Sequence, residues 1–520
     1  MLLFPDITGE AVPHNGMRAR DIPPARLATA HTPDQTARMT NAADAVDEAQ
    51  YDVVVVGAGP VGENVADRAR AAGLTTAVVE NELIGGECSY WACMPSKALL
   101  RPVTARADAR RVPGLRGSVQ GPLDVAEVFA HRDYYASNWK DDGQVSWLES
   151  IGVDIHRGRG RLTGPRRVTV EAPSGERYTL TARHAVVVCT GSRAVVPDLP
   201  GVAGANPWTS RDATSAAKVP GRLVVVGGGV VAAEMATAWQ ALGSRVTVLV
   251  RGKGLLAKME PFAGELIAEA LTEAGATVRT GTSVAAVERR EGGSGPVTVV
   301  LEDGDRIEAE EILFATGRAP RTDDIGLDTV GLKPGSWLEV DESCRVGGTD
   351  WLYGVGDVNH RALMTHEGKY QARVAGAAIA ARAQGEPLDT ARWGAHSATA
   401  DHAAVPQVVF TDPEAAAVGL TLAEAEATGR RVRAVDYDMA SVSGSGLYAD
   451  GYRGHARMVV DLDRETVLGV TFVGPGVAEL LHSATVAVAG EVPIARLWHA
   501  VPAYPTISEV WLRLLETYRG

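Results

Sequence analysis

Residues 51–80 read YDVVVVGAGPVGENVADRARAAGLTTAVVE: an apolar strand, a glycine-rich turn, an alanine-rich helix and a second apolar strand. That order is the βαβ unit that cradles a dinucleotide. Gly57 permits the tight turn, Gly59 lets backbone N–H groups approach a pyrophosphate, and Gly62 lets the helix pack closely on the strand. A second copy, RLVVVGGGVVAAEMATAWQALGSRVTVLVR at 222–251, aligns with the first without a gap at an offset of 170 residues. Gly227, Gly229, Ala232 and Gly243 fall on Gly57, Gly59, Gly62 and Gly73. A lone glycine pattern of this kind often marks only a tight turn, but two copies in full βαβ context point to two nucleotide sites.

The two copies differ where the second strand ends. The first ends on Glu80, 23 positions after Gly57, where a carboxylate can accept hydrogen bonds from an adenosine ribose. The second has Val250 there, followed by Arg251. A guanidinium without a carboxylate suits a 2′-phosphate, which predicts NADP(H); a merely solvated Arg251 would leave NAD(H) possible. HAVVVCTGS at 184–192 and EEILFATGRAP at 310–320 are apolar strands ending in Thr-Gly, at Thr190-Gly191 and Thr316-Gly317. Such ends are expected where the chain returns to the sheet beside a bound dinucleotide. Asp357, in GVGDV, follows a short strand and is placed to bond a polyol or to cap a helix.

The 520 residues suffice for about three domains. With 51 Lys+Arg against 64 Asp+Glu the net charge is −13, which disfavours nucleic acid as a partner. No apolar run approaches the roughly 20 residues of a membrane span, and no leader pattern opens the chain, so a cytoplasmic protein is expected. Residues 1–48 show no sustained period and read as a flexible tail. From about residue 400 the pattern turns to successive strands, PQVVFTDPE, RVRAVDYDM, HARMVVDLD and VLGVTFVG, flanked by helices. This is an α+β module distinct from the two nucleotide units.

Two of the four cysteines, Cys88 and Cys93, lie five apart in GGECSYWACMPSK at 85–97. On a regular helix their Cα atoms would be roughly 8.6 Å apart, beyond the limit of about 7 Å for a disulfide. Pairing therefore requires a distorted helix, and Pro95 supplies one reason, since Met94 before it is biased away from helical dihedrals. A helix start also favours thiolate. No metal site is expected: the spacing is not C-x-x-C, and no second pair completes a tetrahedron. Cys189 and Cys344 read as buried apolar residues.

From Tyr51 onward the chain resembles the FAD-dependent pyridine nucleotide-disulfide oxidoreductases, the family of dihydrolipoamide dehydrogenase, glutathione reductase and mercuric reductase. The two βαβ units, GGECSYWACMPSK, ATGRAP, GVGDV and VVFTDPEAAAVGL carry the resemblance. It implies an α/β fold with two Rossmann-like domains and an α+β dimerisation domain. The boundaries expected are 49–198 for the first part of the FAD domain, 199–325 for the NAD(P)H domain, 326–400 for the second part of the FAD domain and 401–520 for the interface. By the same resemblance Cys93 faces the flavin, Cys88 is the interchange thiol, Lys97 and Glu234 form an ion pair beside the isoalloxazine, and Asp357 holds the ribitol. Gly86, Thr190, Gly191 and Gly317 belong to the nucleotide sites, and the enzyme is a homodimer whose active sites are each completed by the other subunit.

Two features depart from the family. Its disulfide-reducing members carry a C-terminal His-Pro followed by Glu, where this chain has VPAYPTISEVW: Tyr504 takes the His place and Glu509 keeps the Glu place. A phenol, with an ordinary pKa of about 10, is a poor base at neutral pH, and His499 is the nearby substitute. Mercuric reductases also have Tyr here but add a C-terminal cysteine pair, which LLETYRG lacks. Tyr90, Trp91 and Ala92 replace smaller residues, as packing or as a platform for a planar acceptor. The expected enzyme takes electrons from NADPH through FAD to Cys88–Cys93 and on to a disulfide or thiol-bound acceptor. The rivals are direct reduction of a quinone or metal ion by the flavin and a non-catalytic flavoprotein subunit.

Overall fold

The computed structural model describes residues 48–289 and 295–520. The expected tail at 1–48 lies outside them except for Glu48, which opens the first strand. That strand, Glu48–Val56, starts three residues before the apolar run because Glu48, Ala49 and Gln50 continue in register with Thr179, Leu180 and Thr181. Backbone pairing, which no hydropathy pattern reports, extends it.

Glu48–Val56 is central to a parallel layer, flanked by Thr76–Glu80 and then Asp154–Arg157 on one side, by Arg177–Val188 and then Leu352–Gly354 on the other. Arg159–Gly164 and Arg167–Glu171 add an antiparallel extension to the long strand. Val53, Val54 and Val55 are all 0 % exposed, as expected of a parallel strand covered on both faces. The second βαβ unit forms its own parallel sheet, in the order Thr277–Thr280, Arg245–Val250, Arg222–Val226, Glu311–Phe314. In both sheets the glycine turns, and hence the nucleotide cradles, sit at the carboxyl ends of the strands.

The C-terminal module is an antiparallel sheet of five strands, one more than the alternation of the sequence suggests. The additional strand, Glu414–Gly419, is built on three successive alanines. Alanine has little strand propensity. The strand forms because it pairs on one side with Pro406–Val409 and on the other with Thr466–Gly474, while its small buried side chains admit the helix Val477–Ala489 across the sheet.

The helix Val230–Ala241 of the second unit is buried on most sides and carries Trp239, 0 % exposed, edge-on to Phe129 at 6.2 Å and tilted against Trp208 at 5.5 Å. Among the described residues no helix is long and apolar enough to cross a membrane. Truncating Trp239 to Ala empties the largest fully buried side-chain volume, and an unfolding free energy lower by about 3–5 kcal/mol is expected in urea titration. An unchanged midpoint would show that the ring is not part of the core.

Candidate functional site

The first cradle depends on backbone approaches that only glycine permits. A Cβ on Gly62 would stand 1.9 Å from the Gly57 carbonyl oxygen, and one on Gly86 would stand 2.8 Å from Gly59 Cα. Gly59 is the N-cap of the helix Pro60–Ala71, so the thiol segment begins against the N–H groups that would receive a pyrophosphate. Glu80 ends its strand with Oε2 accepting from Ala58 N at 2.7 Å and Oε1 from Glu82 N at 2.8 Å, and burial pushes its carboxyl pKa up. Each oxygen keeps a second lone pair for a hydroxyl. Thr190 Oγ1 is buried with no partner, and Gly191 beside it has open space over its Cα. Asp357 accepts from Ser192 Oγ and lies 3.7 Å from Arg318 Nε; burial raises its pKa.

Gly57, Gly59, Glu80, Gly86, Cys88, Thr190, Gly191 and Asp357 line one cleft. The orphaned Thr190 hydroxyl, the glycine approaches and the paired carboxylates fit a dinucleotide laid along the strand ends.

Sequence reasoning missed the densest charge in this cleft. Glu87 accepts from Arg211 Nε at 2.8 Å, Arg318 Nη2 at 2.7 Å and Arg321 Nη2 at 3.0 Å. The adjacent guanidinium groups outweigh its burial and hold the Glu87 carboxyl below the usual range. Arg318 stands inside the motif ATGRAP and was legible there. Arg211 came from a segment with no motif.

The thiol helix is not a single kinked helix. It is two, Gly86–Tyr90 and Cys93–Arg111, broken at Trp91 and Ala92, whose φ values are −136° and −132°. The break precedes the Met94-Pro95 step expected to cause it. Pro95 lies in the first turn of the second helix, where an N–H has no intrahelical acceptor and its loss costs little. The break brings Cys88 and Cys93 close enough to shift each other's titration, both as free thiols.

Cys93 takes the first helical position, with Sγ 3.4 Å from Thr365 Oγ1 and Lys97 one turn along the same face. Hydrogen bonding from Cys88, then from Thr365, together with the Lys97 charge, lowers the Cys93 pKa despite burial. Cys88 moves the opposite way: donating to Cys93, and then burial, raise it well above the ordinary thiol range. Lys97 Nζ donates to Glu234 Oε2 at 2.8 Å and Oε1 at 3.0 Å. The Glu234 side chain is 4 % exposed and also accepts from Phe410 N at 3.1 Å, while the Phe410 ring lies 5.0 Å from Lys97 Nζ.

In the second unit, Gly227 adopts φ 139° and a Cβ there would meet Ala315 O at 2.3 Å; Gly229 caps the helix, and Gly317 turns the chain with nothing over it. Arg251 is exposed, one residue past its strand. Two expected site residues are not brought to the cleft. Tyr504 is 74 % exposed, and Glu509 is buried and paired with Arg513. His499 is exposed as well. Cys189 and Cys344 are buried singly, and burial pushes both thiols up. Tyr90 is packing: it is 0 % exposed and donates from its hydroxyl to Ile84 O at 2.8 Å.

Two dinucleotide cradles with a polarised dithiol against the first define a flavin- and nicotinamide-dependent thiol–disulfide oxidoreductase. The chain belongs to the pyridine nucleotide-disulphide oxidoreductase family, whose model matches residues 51–385, with the family's dimerisation domain at 405–514. It is 31 % identical to a dihydrolipoyl dehydrogenase of Thermus scotoductus over 88 % of this chain and 95 % of that one. It is 29 % identical to a mercuric reductase of Staphylococcus aureus over 90 % and 82 %. Among solved structures, LpdA of Mycobacterium tuberculosis superposes with a TM-score of 0.76 at 25 % identity, over 90 % of this chain and 99 % of that one. The HOCl-induced flavoprotein disulfide reductase RclA of Escherichia coli shares the fold at the same TM-score and 21 % identity. The chain is therefore an FAD-dependent oxidoreductase that uses a pyridine nucleotide, and the dimerisation domain supports a homodimer.

Replacing Lys97 by Met removes the cation on the Cys93 face, and the Cys93 pKa is expected to rise by about one unit. Ultraviolet titration of thiolate in the reduced protein reads this directly. An unmoved titration would exclude Lys97 from the thiol's field.

Proposed function

We propose that this enzyme oxidises NADPH and delivers the electron pair to Cys88–Cys93 and then to a disulfide or thiol-bound acceptor. One observation carries the reading: the dithiol is polarised, with Cys93 favoured as thiolate at a helix start and Cys88 retaining the proton. FAD held along the first cleft would supply the two-electron link between nicotinamide and thiols. Gly57, Gly59 and Gly86 admit its diphosphate, Glu80 takes the ribose, and Asp357, steadied by Ser192, takes the polyol. Lys97 and Glu234 hold one charge of each sign beside the thiols, and Thr365 orients Cys93.

The overall step balances as NADPH, one proton and a disulfide giving NADP⁺ and two thiols. Cys88 attacks the acceptor sulfur, a mixed disulfide forms and one acceptor thiol leaves. Cys93 then attacks Cys88, restoring the internal disulfide and releasing the second thiol. Lys369 contributes positive charge toward Cys88, easing loss of its proton. The exposure of Val501 (85 %) and Tyr504 in the single chain supports a dimer in which this segment reaches the other subunit's thiols.

Tyr504 also favours a second reading, in which the acceptor needs no protonated leaving thiol, as for a quinone or a metal ion. Among the described residues no cluster of three or more His, Cys, Asp or Glu is arranged to hold a metal. Steady-state turnover separates the readings: Cys88→Ser is expected to abolish reduction of a disulfide substrate, and undiminished turnover with the physiological acceptor would overturn the dithiol route.

Arg251 supports the choice of NADPH. An Arg251→Ala variant is expected to lose about 10–100-fold in kcat/KM for NADPH, the worth of a charge-assisted hydrogen bond to phosphate, with NADH unaffected. Equal losses for both nucleotides, or none, would remove the basis for that choice.

A further inference from the structure

Two buried acids have no part in this chemistry. Glu367, on the helix Thr365–Gln384, is 4 % exposed, and Asp401, on the short helix Ala400–Ala403, is 6 % exposed. The two carboxyl groups lie within hydrogen-bonding reach of each other. One oxygen of each, Glu367 Oε2 and Asp401 Oδ1, is sealed from solvent and has no N–H or O–H donor. Two ionised carboxylates so placed would repel in a poorly solvated site. A single proton between them supplies a donor, satisfies both groups and removes one charge.

The remaining polar atoms show what that proton holds in place. Asp401 Oδ2 accepts from Gln371 Nε2 at 2.9 Å and lies 3.5 Å from Arg361 Nη1. This donation fixes the amide of Gln371, itself 0 % exposed, so that its Oε1 accepts from Gly356 N at 2.8 Å and Asn359 Nδ2 at 2.8 Å. Gly356 immediately precedes Asp357. The helix that carries Glu367 and Gln371 also begins with Thr365, the residue against Cys93 Sγ.

We propose that Glu367 and Asp401 share one proton and act as positioning residues, holding through Gln371 the Gly356–Asp357 turn that grips FAD. The sharing of the proton stands on its own; the grip on FAD rests on the role given to Asp357.

The surroundings of the pair are mixed in charge. Arg361 faces Asp401 and also reaches Glu342 at 3.3 Å; His402 lies 3.4 Å from Glu342; Arg373 faces Glu367 along its own helix; Tyr370, Cys344 and Asp341 complete the neighbourhood. With one proton bound, a single buried charge faces Arg361 and Arg373. Without it, two carboxylates stand charged beside each other, with Arg361 shared between Asp401 and Glu342. Burial, then the charge of Asp401, pushes Glu367 up to about 7, so the folded protein binds this proton more tightly than the unfolded chain does. Its contribution is complete at low pH and is lost as the pH rises through about 7.

Two measurements on the holoenzyme test the proposal. Infrared spectroscopy, read as the wild type minus Glu367→Gln, is expected to show a protonated-carboxyl band at mildly acidic pH that disappears above neutrality; the band of the buried Glu63, also pushed up to about 7, cancels in the difference. Release of FAD, read as free-flavin fluorescence, is expected to accelerate at least about threefold in the wild type between pH 6 and 9. In Glu367→Gln it should stay flat, because the amide keeps a donor toward Asp401 at every pH. Asp401→Asn is the second variant should the first not fold, with the same flat profile expected. A difference spectrum with no carboxyl band for either variant would overturn the shared proton, and a wild-type pH slope in the amide variants would overturn the positioning role. FAD retained at full strength by Asp357→Ala would overturn the Asp357 assignment while leaving the infrared result standing.

Discussion

The arrangement of the molecule depends on one buried carboxylate. Glu234 stands in the helix of the second nucleotide unit, takes both of its ion-pair bonds from Lys97 on the thiol helix, and takes an N–H from Phe410 at the edge of the C-terminal module. A carboxylate with a 4 % exposed side chain is tolerable only when its charge is matched and its lone pairs are used. Satisfying it therefore pins three regions far apart in sequence to one point. Because Lys97 follows Cys93 by one helical turn, the same ion pair also adds to the field at the thiol, behind the hydrogen bonding of Cys88 and Thr365.

Features that depend on local order were legible in the sequence. The two cradles appear as a period and a glycine spacing because strand, turn and helix are contiguous, whereas the five-residue spacing of Cys88 and Cys93 argues against a helical pairing and their role comes from the resemblance to a family. The exceptions are settled by groups distant along the chain. The strand Glu414–Gly419 is alanine-rich and exists because its neighbours recruit it. The break in the thiol segment falls at Trp91 and Ala92, not at proline, because tertiary contacts hold the aromatic pair. Trp139 Nε1 donates to Tyr90 O at 3.1 Å, Thr214 Oγ1 donates to Trp91 O at 2.8 Å, and Arg211 lies 4.3 Å over the Trp91 ring. No hydropathy or propensity pattern encodes such bonds, which span from 49 to 123 residues along the chain.

Those bonds also give the unusual aromatics a purpose. Tyr90 and Trp91 wedge the thiol loop between the two nucleotide units, and Arg211, stacked on Trp91, continues to Glu82 and Glu87. Glu87 in turn gathers Arg318, whose Nε donates to Ser192 Oγ at 2.6 Å, beside Asp357. The residue preceding the cysteine is thereby tied to Ser192, which donates to Asp357.

The thiol pair itself constrains what can accept electrons from it. Cys93 is stabilised as thiolate by a helix start, a hydroxyl and a cation, so charge collects on the inner sulfur, while Cys88 retains a proton. On the proposed dithiol route, attack by Cys88 needs that proton removed and attack on a disulfide needs one returned to the leaving thiol, while within one chain Tyr504 projects into solvent and Glu509 is paired with Arg513. On that route neither Tyr504 nor Glu509 of the same chain is placed to carry the proton. An acceptor whose reduction needs no leaving-group proton places no such demand on the site, which is the physical difference between the disulfide route and its quinone or metal-ion rival.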